Sequence, residues 1–118
     1  MLRTFLRAKL HRARVTSAEL DYEGSISIDP ALLKAADIAA FEQVDVYNIT
    51  NGARFTTYAI VGKPGEVSVK GAAARLVQTG DLLIIACFGL VNAADLTAGF
   101  TPKVILLDGK SNAITSAS

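Results

Sequence analysis

Val44-Asp45-Val46-Tyr47-Asn48-Ile49-Thr50-Asn51-Gly52-Ala53-Arg54-Phe55-Thr56-Thr57-Tyr58-Ala59-Ile60-Val61 sets two β-rich runs on either side of Asn51-Gly52. β-branched and aromatic residues dominate both runs, the habit of pleated, half-buried strands. Asn-Gly between such runs predicts a hairpin closed by a type I′ turn, which needs positive φ at both central residues.

Outward from this hairpin, short elements follow one another closely. Lys63-Pro64-Gly65-Glu66 predicts a turn, and Val67-Ser68-Val69 a short strand. Gly71 to Leu76 reads as one or two helical turns opened by a glycine, and Gly80-Asp81 turns the chain into an apolar strand, Leu82 to Phe88. Ala93 to Leu96 suits a helical turn, and Lys103 to Leu107 a last strand. Upstream, Asp29-Pro30 places an N-cap before a first-turn proline, with Leu32, Leu33, Ala36 and Ile38 as the apolar stripe of a helix. Thr16-Ser17-Ala18-Glu19 has the form of a capping box and predicts a helical turn through Leu20. Many short strands with two or three helical turns argue for a mainly β fold, a small barrel, rather than a βαβ arrangement. No repeat or linker divides the chain, so residues 1–118 suit one domain, and the polar segment 111–118 is expected to fray as a flexible tail.

Composition narrows the function classes. The chain is 51% hydrophobic and 19% charged, enough apolar content for a core. A mean hydropathy of +0.36 is high for so small a domain and points to apolar surface covered by other subunits. Net charge is +1, which gives no global attraction to nucleic acid or membrane. The single cysteine, Cys87, excludes an intramolecular disulfide and reads as a buried apolar residue. His11 is the only histidine, so metal-ligand spacing is absent. Leu82 to Phe88 is too short to span a bilayer, and Arg3, Arg7 and Lys9 interrupt any signal-peptide core. A soluble, cytoplasmic protein is expected.

The first fourteen residues hold Arg3, Arg7, Lys9, Arg12, Arg14 and His11. A nucleic-acid arm would want stacking aromatics and more basic residues elsewhere, and a targeting peptide would be serine-rich. On a strand, the period of two sets Arg7, Lys9 and His11 on one face and Leu6, Ala8 and Leu10 on the other. Either a functional cationic face or a solvated one fits that pattern.

Three pieces of the chain, in this order and spacing, carry a family likeness. They are Lys9-Leu10-His11-Arg12 with Tyr22-Glu23-Gly24-Ser25; Ile49 to Ile60; and Gly71-Ala72-Ala73-Ala74 with Gly80-Asp81-Leu82. Together they resemble the pyruvoyl-dependent aspartate 1-decarboxylases over Met1 to about Leu107. The resemblance implies a double-psi β-barrel and a homotetramer with active sites between subunits. It also implies self-cleavage between Gly24 and Ser25 into a β chain, 1–24, and an α chain, 25–118. The product would be β-alanine from L-aspartate, for pantothenate and coenzyme A synthesis. The cofactor would be a covalent pyruvoyl group made from Ser25, with neither a metal nor pyridoxal phosphate.

The chemistry accounts for the residue types. Decarboxylating an α-amino acid needs an electron sink, and a ketone that forms a Schiff base with the substrate amine is one. No side chain is a ketone, so the chain must make it. Glycine before the nucleophile is expected for close approach to its carbonyl and for a strained backbone. A Gly-Ser pair taken alone is an ordinary turn. Arg54 carries a guanidinium fork suited to a carboxylate, and Lys9 could hold the other carboxylate or bias the site electrostatically. By resemblance, Thr57 supports self-cleavage and contacts substrate, while Tyr58 returns the proton; as residue types alone, both are strand fillers. The two are neighbours and point to opposite faces of a regular strand, so one site can use both only through a bulge, a twist or a second subunit. Main-chain N–H groups of Gly71, Ala72 and Ala73 could bind a carboxylate. Tyr22 and His11 are expected to line or orient the site, His11 through a structural hydrogen bond.

One position departs from the family pattern. Where relatives usually carry Asn before Gly-Ala-Ala, this chain has Lys70. That leaves open an uncleaved, non-enzymatic barrel that binds a small acid or serves as an assembly module. Whether an accessory maturation protein takes part is equally open.

Overall fold

The computed structural model describes residues 1–118 and is mainly β with a few short helices, the expected class. Its strands are β1 (Leu2–Arg14), β2 (Ser17–Glu19), β3 (Ser25–Ile28), β4 (Gln43–Asn48), β5 (Arg54–Val61), β6 (Val67–Lys70), β7 (Leu82–Asn92), β8 (Lys103–Leu107) and β9 (Ile114–Ala117). Helices α1 (Pro30–Ala36) and α2 (Ala93–Thr97) and a 3₁₀ turn, Gly71–Leu76, lie between them. The strands bond in the order β2-β6-β3-β5-β4-β7-β1-β8-β9. Neighbours are mostly antiparallel, but β1–β8, β2–β6 and β3–β5 run parallel.

A cluster of 21 buried residues forms the core. In β4 the alternation is clean: Val44 and Val46 are buried while Gln43 is exposed. All four residues of β3 are buried, so this strand is covered on both faces. Helix α1 starts as read: the Asp29 carboxylate accepts a hydrogen bond from the Ala31 N–H at 2.7 Å, a cap worth about 1 kcal/mol, and Pro30 occupies the first turn. Leu32, Leu33 and Ala36 face the core.

Four expectations are corrected. The β4–β5 hairpin forms, but its connection is five residues, 49–53, and only Gly52 has positive φ, so it is not a type I′ turn. The buried Asn48 side chain takes over that role by accepting from the N–H groups of Thr50 and Asn51. Thr16-Ser17-Ala18-Glu19 caps no helix; Ser17–Glu19 is strand β2, because the Thr16 hydroxyl spends both its donor and its acceptor capacity on Val67 of β6. The segment 111–118 pairs instead of fraying. Asn112 is buried against the backbone of Arg14 and Gly65, which anchors β9 beside β8. Finally, β1 shifts register between Leu6 and Ala8, and Arg7 leaves the face of Lys9 and His11 to pair with Glu42 at 2.7 Å.

Candidate active site

Strand β3 lies between β6 and β5, and this placement builds the site. Ser25 is 1% exposed, and its Oγ is buried without any hydrogen-bond partner. Leaving a buried hydroxyl unpaired costs about 1–3 kcal/mol, so it demands a reason. Across the antiparallel ladder Ser25 is paired with Lys70. Across the parallel ladder Ile26 pairs with Ala59, which brings Ser25 level with Tyr58, one step earlier on each strand. By the pleat, Ser25, Lys70 and Tyr58 share one face and Thr57 takes the other. The β4–β5 ladder runs from Gln43–Tyr58 to Tyr47–Arg54 without a shift, so no bulge turns Thr57 toward Tyr58.

The segment before Ser25 is fastened from the β6 side. The Lys70 ammonium lies 4.4 Å from the centre of the Tyr22 ring, a cation–π contact. Gly71 lies directly against the backbone of Gly24. At Gly24 φ is not positive, and a Cβ there would meet no atom within 4 Å beyond its two chain neighbours. The demand for a missing side chain sits at Gly71, where no sequence argument placed it.

Other site candidates stand apart within one chain. No hydrogen bond or ion pair joins Lys9, His11 or Arg54 to Ser25. Strands β5, β4 and β7 separate β3 from β1, which carries Lys9 and His11. Arg54 is exposed at the start of β5, its guanidinium 4.4 Å over the Tyr47 ring. The structural hydrogen bond expected of His11 is missing at Nδ1, which is buried and unpartnered. Burial first, then the charges of Lys9 and Arg12, lower the His11 pKa, which favours the neutral ring. Ala72 is exposed at the start of the 3₁₀ turn, and Ala73 packs on the core.

Neither cleft in the chain is lined by Ser25. One of about 470 Å³ lies beside β5 and is bounded by Phe41, Gln43, Thr56, Thr57 and Tyr58. The other, about 300 Å³, lies among Glu42, Asp45, Phe88 and Leu90. No helix is long and apolar enough to cross a membrane.

Comparison with known proteins agrees with this geometry. The family model described as aspartate decarboxylase matches residues 1–115. The chain is 54% identical to the aspartate 1-decarboxylase of Hydrogenobaculum sp. (strain Y04AAS1), over 95% of this chain and 89% of that one. It is 52% identical to that of Ruthia magnifica subsp. Calyptogena magnifica, over 100% and 99%. Against the enzyme of Ralstonia pickettii (strain 12J) the identity is 53%, over 97% and 95%. With a sealed, unpartnered serine after Gly24 and likeness along nearly its whole length, the chain belongs to the aspartate decarboxylase family.

Proposed function

We propose that this chain decarboxylates L-aspartate to β-alanine, using a pyruvoyl group that it makes from Ser25 by cutting itself after Gly24. The observation that carries the reading is the Ser25 hydroxyl, buried and bonded to nothing, at the residue after Gly24 in a member of this family. An Oγ held out of water without a competing donor is free to attack the preceding carbonyl.

The cut balances as follows. Ser25 Oγ adds to the Gly24 carbonyl carbon, and the C–N bond breaks, which leaves an ester and a free amine at residue 25. Loss of the Cα proton expels the Gly24 carboxylate and leaves a Cα=Cβ double bond at residue 25. That enamine takes up one water and loses one ammonia, and a ketone remains. A ketone there supplies the electron sink that decarboxylation requires. Arg54 and Lys9 hold the two substrate carboxylates, with the N–H groups of Gly71, Ala72 and Ala73 as further donors. Tyr58 delivers a proton to the carbon that has lost carbon dioxide. Thr57 assists the cut.

Assembly from several copies, a homotetramer by family likeness, is part of the reading. Thr57 and Tyr58 face opposite sides of a regular strand, and Arg54 and Lys9 are unconnected to Ser25 within one chain. Each face of β5 then serves a different subunit's site. Exposed Phe41, Phe88 and Leu90 supply apolar surface for such contacts.

Denaturing mass spectrometry tests the reading. Incubated protein should give Met1–Gly24 and a fragment from residue 25 with a blocked amino end. The Ser25→Ala variant should stay whole and release no carbon dioxide from aspartate. A wild-type chain that stays intact indefinitely would favour the non-enzymatic binding barrel.

A further inference from the structure

We infer that Gly71 is a positioning residue for the self-cleavage, a bare spot on which the Tyr22–Gly24 segment is seated so that its carbonyl meets Ser25. This rests on the proposed self-cleavage and adds the element that aims it. A Cβ at Gly71 would stand 2.6 Å from Gly24 Cα, 2.8 Å from Gly24 N and 2.9 Å from the Tyr22 carbonyl oxygen. All three obstacles are backbone atoms, so no rotamer change relieves the collision. The segment before the cut would have to move, whereas Ser25 is held in the β3–β6 ladder opposite Lys70. Nucleophile and carbonyl would then separate by up to about 1 Å, and displacement on that scale costs up to about a hundredfold in rate.

Gly71 also has a φ of +78°, so replacing it strains the backbone whatever the space around it. Gly65 supplies the control. Its φ is +79°, and a Cβ there meets nothing within 4 Å, so Gly65→Ala has the same conformational penalty without the collision. Asparagine tolerates the left-handed region yet carries a Cβ, so Gly71→Asn reduces strain while keeping the clash.

The test follows the intact fraction of wild type, Gly65→Ala, Gly71→Ala and Gly71→Asn by denaturing mass spectrometry. Thermal midpoints are measured for the same changes on an uncleavable Ser25→Ala background. Both Gly71 variants should cut between about tenfold and a hundredfold more slowly than Gly65→Ala, at matched midpoints. Either of them folding and cutting as fast as Gly65→Ala overturns the inference and leaves self-cleavage standing. Failure of both to fold while Gly65→Ala folds assigns Gly71 to the scaffold and also overturns it. If wild type never cuts, the inference falls together with the proposed function.

Discussion

Ser25 and Lys70 face each other across the antiparallel pairing of β3 with β6, and the Lys70 ammonium reaches from there to the ring of Tyr22. A cation is thus fixed beside Ser25 and over the segment that precedes it. Directly opposed side chains in such a ladder lie on one face, with Cβ atoms about 5 Å apart. Lys70, at the position that departs from the expected family pattern, brings a positive charge beside Ser25.

That charge should act on the acidic substrate. Lys70→Met keeps the stem that packs near Tyr22 and removes the charge. Losing one partly screened ion pair of about 1 kcal/mol predicts roughly a fivefold rise in KM for aspartate, diminishing with salt. Steady-state kinetics at two ionic strengths would show it. An unchanged KM at low salt would remove Lys70 from substrate binding.

Tyr58 shares the sheet face of Ser25, and its proposed role, proton delivery, falls after the proposed cut. Tyr58→Phe should mature normally and then turn over between about a hundredfold and ten thousandfold more slowly. Fragment analysis alongside carbon dioxide release separates the two steps. Full turnover would take the proton-donor role from this phenol.

Asn112 ties the last strand to the rest of the fold. Its Oδ1 accepts from the Arg14 N–H at 2.7 Å, and its Nδ2 donates to the carbonyls of Arg14 and Gly65 at 3.0 and 3.1 Å. Its φ of 64° is one that asparagine bears more easily than alanine. Asn112→Ala leaves these backbone groups unpaired and should cost about 3 kcal/mol in urea unfolding. A loss below the error of the measurement would mean that β9 is not anchored there.

The turn between β8 and β9 is pH-sensitive. Asp108 accepts from the Ser111 hydroxyl and from the N–H groups of Lys110, Ser111 and Asn112, which pulls its pKa from 3.8 down to about 2. The unfolded chain then binds more protons in acid, so this stabilisation is complete above about pH 4 and is lost as pH falls through about 2. Amide exchange in β9 should rise over that interval in wild type. In Asp108→Asn it should already be raised at neutral pH and show no such step.

Burial, with the Glu42 charge adding to it, lifts the Cys87 thiol to about 11. The folded protein should therefore resist iodoacetamide at pH 8 and react fully once unfolded in urea. Rapid labelling of native protein would show that β7 opens.

Local chemistry made much of this molecule readable from its residues. Asp29-Pro30 announced α1, the β-rich runs around Asn51-Gly52 announced the hairpin, and the three motif pieces announced the family. Each of these depends on neighbours along the chain: a cap bonds two residues ahead, and a turn closes within five. Long-range pairing decided the rest. Thr16 looked like a cap and became an anchor for β6, because Val67, 51 residues away, offered both of its backbone groups. The tail looked loose until Asn112 found Arg14, 98 residues upstream. Gly71 has to be bare because the fold, and no local pattern, sets its backbone against that of Gly24. Sequence determined which groups could do chemistry, since reactivity belongs to residue type. Tertiary structure decided which of them meet, since strand order and steric exclusion arise between segments that no local pattern relates.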